Sequence, residues 1–449
     1  MSHHAGNQLP AIGPVSLSPL TFCHAPLAGM TSLAFLTGYF SRSRLDPINR
    51  HAYEGACMPE FLAPVAQVEE ITSRVMPIEA VSTSTTAFVG TTSRGPANKP
   101  ITVTSQVGFE RTFGPLSASF EMGYVIRAFF ANGGREAVIV RVKGAGTFPR
   151  ATEVIGSVKK KTGLYALEKV QRFGLLCLPP VKPGGDTPWS VYRAALRYCK
   201  QRRALVIVDS PASWGAETSG GVNSTLTGLT QSRLVLTMGA ENAALYFPRL
   251  LQADPLQNGQ PRLTVMCGAI AGVMARIDTI HGVWKAPAGL EATLNDVLGL
   301  QRLLNNAEND RLNPAGVNSL RNIDGRYLVW GGRTLSTNSE WRYVSVSRLA
   351  LFMEASIENG IAWASFEPNG EPLWAKLRVV TESFLQNLWR KGALLGTTPD
   401  EAYFVKCDRS TMTQGNIEKG LIVMLVGFAP LKPAEFVLLQ IQIKAAVSA

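Results

Sequence analysis

The stretch that most resembles reactive chemistry is Leu205-Val-Ile-Val-Asp209-Ser-Pro, an apolar strand ending in a carboxylate, as in the magnesium-holding strand of P-loop ATPases. No GxxxxGKS or GxxxxGKT sequence occurs in the chain, so that carboxylate lacks a phosphate cradle. A core strand closed by a turn-forming Asp-Ser-Pro is the simpler account. Trp330-Gly-Gly-Arg333 could hold an anion on backbone N–H groups, because glycine lets the backbone approach a ligand; equally it forms a tight turn in which Gly331 and Gly332 let two segments pack. No GxSxG elbow is present, and Cys23, Cys57, Cys177, Cys199, Cys267 and Cys407 form no CxxC pair. Beyond the leading His3-His4, only His24, His51 and His281 remain, too dispersed for a zinc site. The expectation is a chain with no active site, no metal and no cofactor, its thiols reduced as in cytosol.

The elements around these residues read as layered α/β structure. Ser82 to Gly90 is a β-branched run closed by glycine, and Ala137 to Val142 and Gly174 to Pro180 are further apolar runs. A helix starts near Ser105, another ends at Asn132-Gly133-Gly134, and a basic helix over about 189–203 leads into the strand at 204–211. Continuous apolar strands alternating with helices predict a covered, mainly parallel sheet. The C-terminal third is α+β, with helices over about 344–359 and 372–395 and strands at 402–407, 421–428 and 436–443. Residues 19–40 are moderately apolar but carry His24, Pro26 and several hydroxyls; they predict neither an export signal nor a spanning helix.

Charge is concentrated. Of the net +11, residues 151–203 supply +8, from eleven Lys and Arg against Glu153, Glu168 and Asp186. Arg193, Arg197 and Lys200 fall on one face of the basic helix. Three uses are open for that face: solvation, a charge patch for another protein, or nucleic acid, the last without the interleaved aromatics it would want.

Several blocks in order resemble the sheath protein of contractile phage tails and related contractile injection systems. They are Ile78-Glu-Ala-Val-Ser-Thr-Ser-Thr-Thr-Ala-Phe-Val-Gly90, Arg94-Gly-Pro96, Phe113-Gly114, Phe129-Phe-Ala-Asn-Gly-Gly134 and Val140-Arg-Val142. The middle adds Ala244-Leu-Tyr-Phe-Pro248, Gly268-Ala-Ile-Ala-Gly272 and Gly282-Val-Trp-Lys-Ala-Pro-Ala288. The C-terminal blocks are Leu312-Asn313, Gly316-Val-Asn318, Val329-Trp-Gly-Gly-Arg-Thr-Leu335, Trp341-Arg-Tyr343 and Ala429-Pro-Leu-Lys-Pro-Ala-Glu-Phe436. One departure stands out: the family's Pro-Gly-Val-Tyr arm is replaced by Pro64-Val-Ala-Gln67, with some sixty extra residues before it.

The resemblance implies a structural subunit of stacked rings around an inner tube, with baseplate and cap proteins as further partners, no direct nucleic-acid contact and membrane contact left open. Cytoplasmic assembly into a phage tail or tail-like particle goes with it. A non-contracting baseplate or adaptor protein is the alternative, and an α/β enzyme a more distant one. The implied fold is an α/β and α+β multidomain chain: an inner α+β sheath domain built from both chain ends, an outer α/β middle domain and extended terminal arms. The expected divisions are an extension over 1–60, an arm over 61–80, the outer region over 81–311, the inner domain over 312–435 and a C-terminal arm strand over 436–449. Lys376, Arg378, Arg390 and Lys391 are the expected tube contacts, and Arg193, Arg197 and Lys200 an inter-subunit charge patch. In the arm, Val437, Leu439, Ile441 and Ile443 alternate with a more polar face, as a strand donated to a neighbour would.

Overall fold

The computed structural model describes residues 77–433, apart from 145, 147 and 217–219, together with the strand at 18–22. In chain order the strands are β1 Ser18–Phe22, β2 Thr86–Gly90, β3 Ile101–Val103, β4 Ala137–Arg141, β5 Leu175–Cys177, β6 Leu205–Asp209, β7 Ala243–Phe247, β8 Leu250–Asp254, β9 Gln260–Thr264, β10 Gly299–Leu300, β11 Val317–Ile323, β12 Arg326–Val329, β13 Tyr403–Lys406 and β14 Met424–Phe428. The α-helices are α1 Gln106–Phe113, α2 Glu121–Ala131, α3 Ala151–Ile155, α4 Trp189–Arg202, α5 Gly221–Ser232, α6 Cys267–His281, α7 Asn306–Leu312, α8 Val344–Gly360, α9 Glu371–Arg390, α10 Pro399–Ala402 and α11 Gln414–Glu418.

Eight strands form one sheet in the order β12-β11-β7-β6-β5-β2-β4-β3. Its centre is parallel, and β12 and β3 close the two edges antiparallel. Side chains alternate across it as strand geometry demands: Ala87, Val89, Val206 and Val208 enter the core on the α4 side, while Phe88, Leu205 and Ile207 enter the core shared with α1, α2 and α6. Both faces are covered, which is why the middles of these strands are continuous apolar runs, with polar residues such as Thr86 and Asp209 at strand ends. The Gly268 to Gly272 block explains itself here. A Cβ on Gly268 would stand 2.1 Å from the Val125 carbonyl oxygen, and one on Gly272 2.4 Å from that of Phe129, so α6 lies against α2 only because both positions lack side chains.

A second core gathers α8, α9, β13 and β14, with Ile78 and Val283 reaching in. Its sheet runs β1-β14-β13, all antiparallel, so the short strand from the N-terminal extension joins the C-terminal part of the fold. The expected division at 311/312 needs correction. β11 extends the large sheet beside β7, and Leu312, Val317, Leu320, Val329 and Leu335 are buried in the two α/β cores, so the α/β unit continues to about residue 335. The rest of 1–60, residues 61–76 and the C-terminal arm with Val437, Leu439, Ile441 and Ile443 lie outside the described residues.

Candidate assembly surfaces

Asp209 ends β6 inside the protein, 5% exposed, where one carboxylate oxygen accepts from the backbone N–H groups of Met266 (2.9 Å) and Cys267 (2.8 Å). Those groups open α6, so the carboxylate caps a helix that begins 58 residues later in sequence. Burial raises its pKa to about 6, opposed by the Cys267 thiol, the Arg249 charge and the two backbone donors. An acid whose folded pKa lies above its unfolded value of about 4 loses stability as pH rises through that window and regains it on acidification. Asp209→Asn keeps an acceptor for α6 and removes the titration. The wild type should therefore gain on the variant between pH 7 and pH 4 in paired thermal melts; melting curves that stay parallel across that range would refute this account.

Trp330 to Arg333 is not the tight turn expected: the segment leaves β12 without a turn, and Arg333 forms an antiparallel bridge with Tyr343. The Arg333 backbone N–H donates to Asn318 Oδ1 at 2.7 Å, and Asn318 Nδ2 donates to the carbonyls of Leu245 (3.0 Å) and Arg333 (2.7 Å). A Cβ on Gly331 would meet Asn318 Cα at 2.7 Å, which fixes glycine there. Cys177, Cys199, Cys267 and Cys407 are buried free thiols, and burial pushes each above the ordinary thiol range. Among the described residues, no group of three or more His, Cys, Asp or Glu is placed to hold a metal ion, and no helix is long and apolar enough to cross a membrane.

The two predicted charge groups are only partly available. On α4, Arg197 is exposed, whereas Arg193 donates to the Ser232 carbonyl at 2.8 Å and Lys200 pairs with Glu241 at 2.8 Å. On α9, Lys376 and Arg390 are exposed, as is Lys391 just after it. Arg378 is half-buried and donates to the Cys407 carbonyl at 2.6 Å, which ties α9 to the end of β13.

Sequence spacing did not reveal the ion pairs that join the two units. Arg348 of α8 grips Asp278 of α6 through two hydrogen bonds, 2.8 and 2.5 Å, with both side chains under 5% exposed, and the Thr83 hydroxyl donates to the same carboxylate at 2.6 Å. Nearer the surface, Arg203 pairs with Glu354 (3.2 Å) and Glu358 (2.9 Å), and Arg172 with Glu358 (3.2 Å). Burial raises the Glu354 pKa and Arg203 opposes the rise. Glu354 and Glu358 are one helical turn apart, which is what lets one guanidinium meet both.

These ion pairs clamp the α/β body to the smaller α+β unit. Two family models match adjoining stretches: the phage tail sheath protein central domain over residues 164–335 and the phage tail sheath C-terminal domain over residues 336–444. The chain belongs to the contractile tail sheath family and is a structural subunit of a phage tail or tail-like particle. It is 25% identical over 350 residues to a putative prophage major tail sheath protein of Pseudomonas aeruginosa (strain UCBPP-PA14), covering 75% of this chain and 84% of that one. Among solved structures, the contracted sheath complex of the extracellular contractile injection system PVC superposes with a TM-score of 0.67 at 26% identity, over 86% of this chain and 99% of that one. The contracted helical sheath of the anti-feeding prophage gives 0.67 and 26%, over 85% and 99%.

Proposed function

We propose that the chain polymerises into stacked rings around an inner tube, between a baseplate and a cap, and that collective shortening of the lattice drives the tube forward. The observation that carries this is the superposition of nearly the whole of two contracted sheath subunits on the chain. A chain of the anti-feeding prophage baseplate superposes as well, with a TM-score of 0.66 at 27% identity, which supports association with a baseplate. Assembly proceeds in the producing cell's cytoplasm before the particle acts. The unit of α8, α9 and the β1-β14-β13 sheet is the inner domain, and the α/β body up to about residue 335 faces outward. Energy comes from a metastable assembled lattice rather than from nucleotide.

A sheath must hold its tube before firing and then let it slide. Exposed charge contacts, each worth little, suit that better than a sealed apolar seam. Lys376, Arg390 and Lys391 on the exposed side of α9 supply such contacts. Reversing Arg390 and Lys391 together to Glu is expected to lower the fraction of tube-filled sheaths severalfold in micrographs of co-expressed sheath and tube, while empty sheaths persist. Undiminished tube filling would remove α9 from the tube interface.

A further inference from the structure

Where α5 ends, the α/β body carries an exposed apolar surface. Leu236 is 85% and Met238 63% exposed, two positions apart on the segment that follows the helix. Arg193 and Arg197 from α4 and Arg233 from the α5 C-cap line the same depression. Arg233 and Leu236 continue into a second depression that reaches Val235 and Arg342. Among the described residues no acidic side chain lines either one, and Arg197 and Arg233 are both exposed. An apolar centre inside an arginine rim is the composition of a protein contact, and it suits an occupant that is itself apolar and acidic.

The chain contains such a stretch. Between Arg50 and Arg74 the sequence holds Glu54, Glu60, Glu69 and Glu70 and no Lys or Arg, interleaved with Phe61, Leu62, Val68 and Ile71. The other terminal stretches lack that composition: residues 1–50 carry Arg42, Arg44 and Arg50 against Asp46 alone, and residues 434–449 carry Glu435 against Lys444. Chain length permits the contact. The described body begins at Pro77, and Val81 and Thr83 line a cleft together with Arg203, the C-cap of α4. Arg197 lies six residues back along that helix, about 9 Å at 1.5 Å per residue. Residues 72–80 can span about 30 Å, so a segment ending at Ile71 can reach the arginine rim of its own subunit.

We propose that residues 54–71 dock across the Leu236–Met238 surface of the same subunit, their apolar side chains covering Leu236 and Met238 and their carboxylates facing Arg197 and Arg233. Own-chain docking goes beyond the sheath reading and does not rest on it. The stretch includes Pro64-Val-Ala-Gln67, where the sequence departs from the family's Pro-Gly-Val-Tyr arm. Apolar contact anchors the segment, and the charges set its register and make the contact weaken in salt, since the Debye length falls to about 3 Å at 1 M.

Amide hydrogen exchange of the full-length chain, read by mass spectrometry on four forms, tests the contact, with circular dichroism confirming folding: wild type, Arg197→Glu with Arg233→Glu, Glu69→Arg with Glu70→Arg, and all four changes together. Amides over 54–71 and 234–239 should exchange at least about tenfold faster in either reversed pair than in wild type, and the four-fold swap should restore protection because the two sets of charge again complement one another. Leu236→Ser with Met238→Ser, which leaves every charge in place, should also speed exchange over 54–71. Equal exchange in wild type and both reversed pairs would overturn the contact, as would a swap that restores nothing. Protection that appears only as protein concentration rises would place a second copy on the surface and overturn the own-chain seat.

Discussion

A chain ended at Ala434 is expected to fold, stay soluble and fail to polymerise. The alternation of Val437, Leu439, Ile441 and Ile443 with Leu438, Gln440, Gln442 and Lys444 gives the last segment one wholly apolar strand face. Pro433, just before it, cannot donate to a ladder and separates this segment from the fold behind it. Among the described residues, Val426 and Phe428 of β14 and Val405 of β13 are buried against α8 and α9. A strand donated to a neighbour should cost the isolated subunit little when it is removed. Donated to a sheet of the next subunit it gains ladder hydrogen bonds, each worth about 0.5 to 1.5 kcal/mol net, and burial of four aliphatic side chains at about 1.5 to 3 kcal/mol each as an upper range. Loss of such a contact at every lattice point should abolish assembly altogether. Normal-length polymers from the truncated chain would contradict the arm's role, and an insoluble product would show that the strand belongs to its own subunit's core.

The second large effect is expected at the buried clamp between the two units. Arg348 and Asp278 are 3% and 4% exposed and satisfy one another in a two-pronged pair. Removing one partner leaves the other charge buried without its match, which costs about 3 to 5 kcal/mol, a large share of the roughly 5 to 15 kcal/mol that holds a domain folded. Asp278→Ala and Arg348→Ala should each destabilise by that amount in denaturant unfolding. The double variant should fall well short of the sum, because the second change removes an already stranded charge. The outer pairs of Arg203 and Arg172 are a quarter to two-fifths exposed, so Arg203→Ala should cost no more than about 1 kcal/mol. Single changes at Asp278 or Arg348 that shift the midpoint as little as Arg203→Ala would show that the clamp does not hold the units together.

Local pattern carried most of the α/β body. The apolar runs at Thr86–Gly90, Ala137–Arg141 and Leu205–Asp209 became parallel core strands, and the Ser105 start of α1 is a true cap, its side chain accepting from the Gly108 N–H. The β11–β12 hairpin was missed although its signal was present. Asp324 and Gly325 sit at φ 50° and 78°, the left-handed pair that an Asp-Gly two-residue turn supplies, between an apolar run and its return. That omission led to the misplaced division at 311/312. The charge patches show the limit of helical spacing. It places Arg193, Arg197 and Lys200 on one face but cannot tell that Ser232 and Glu241, 39 and 41 residues downstream, already engage two of them. The Arg348–Asp278 clamp spans 70 residues and has no local signature at all.

Negative-stain imaging of the purified full-length chain, across a concentration series, tests the central claim most directly. The sheath assignment predicts hollow tubes or stacked rings built from this chain alone. Uniform single subunits at every concentration would contradict it.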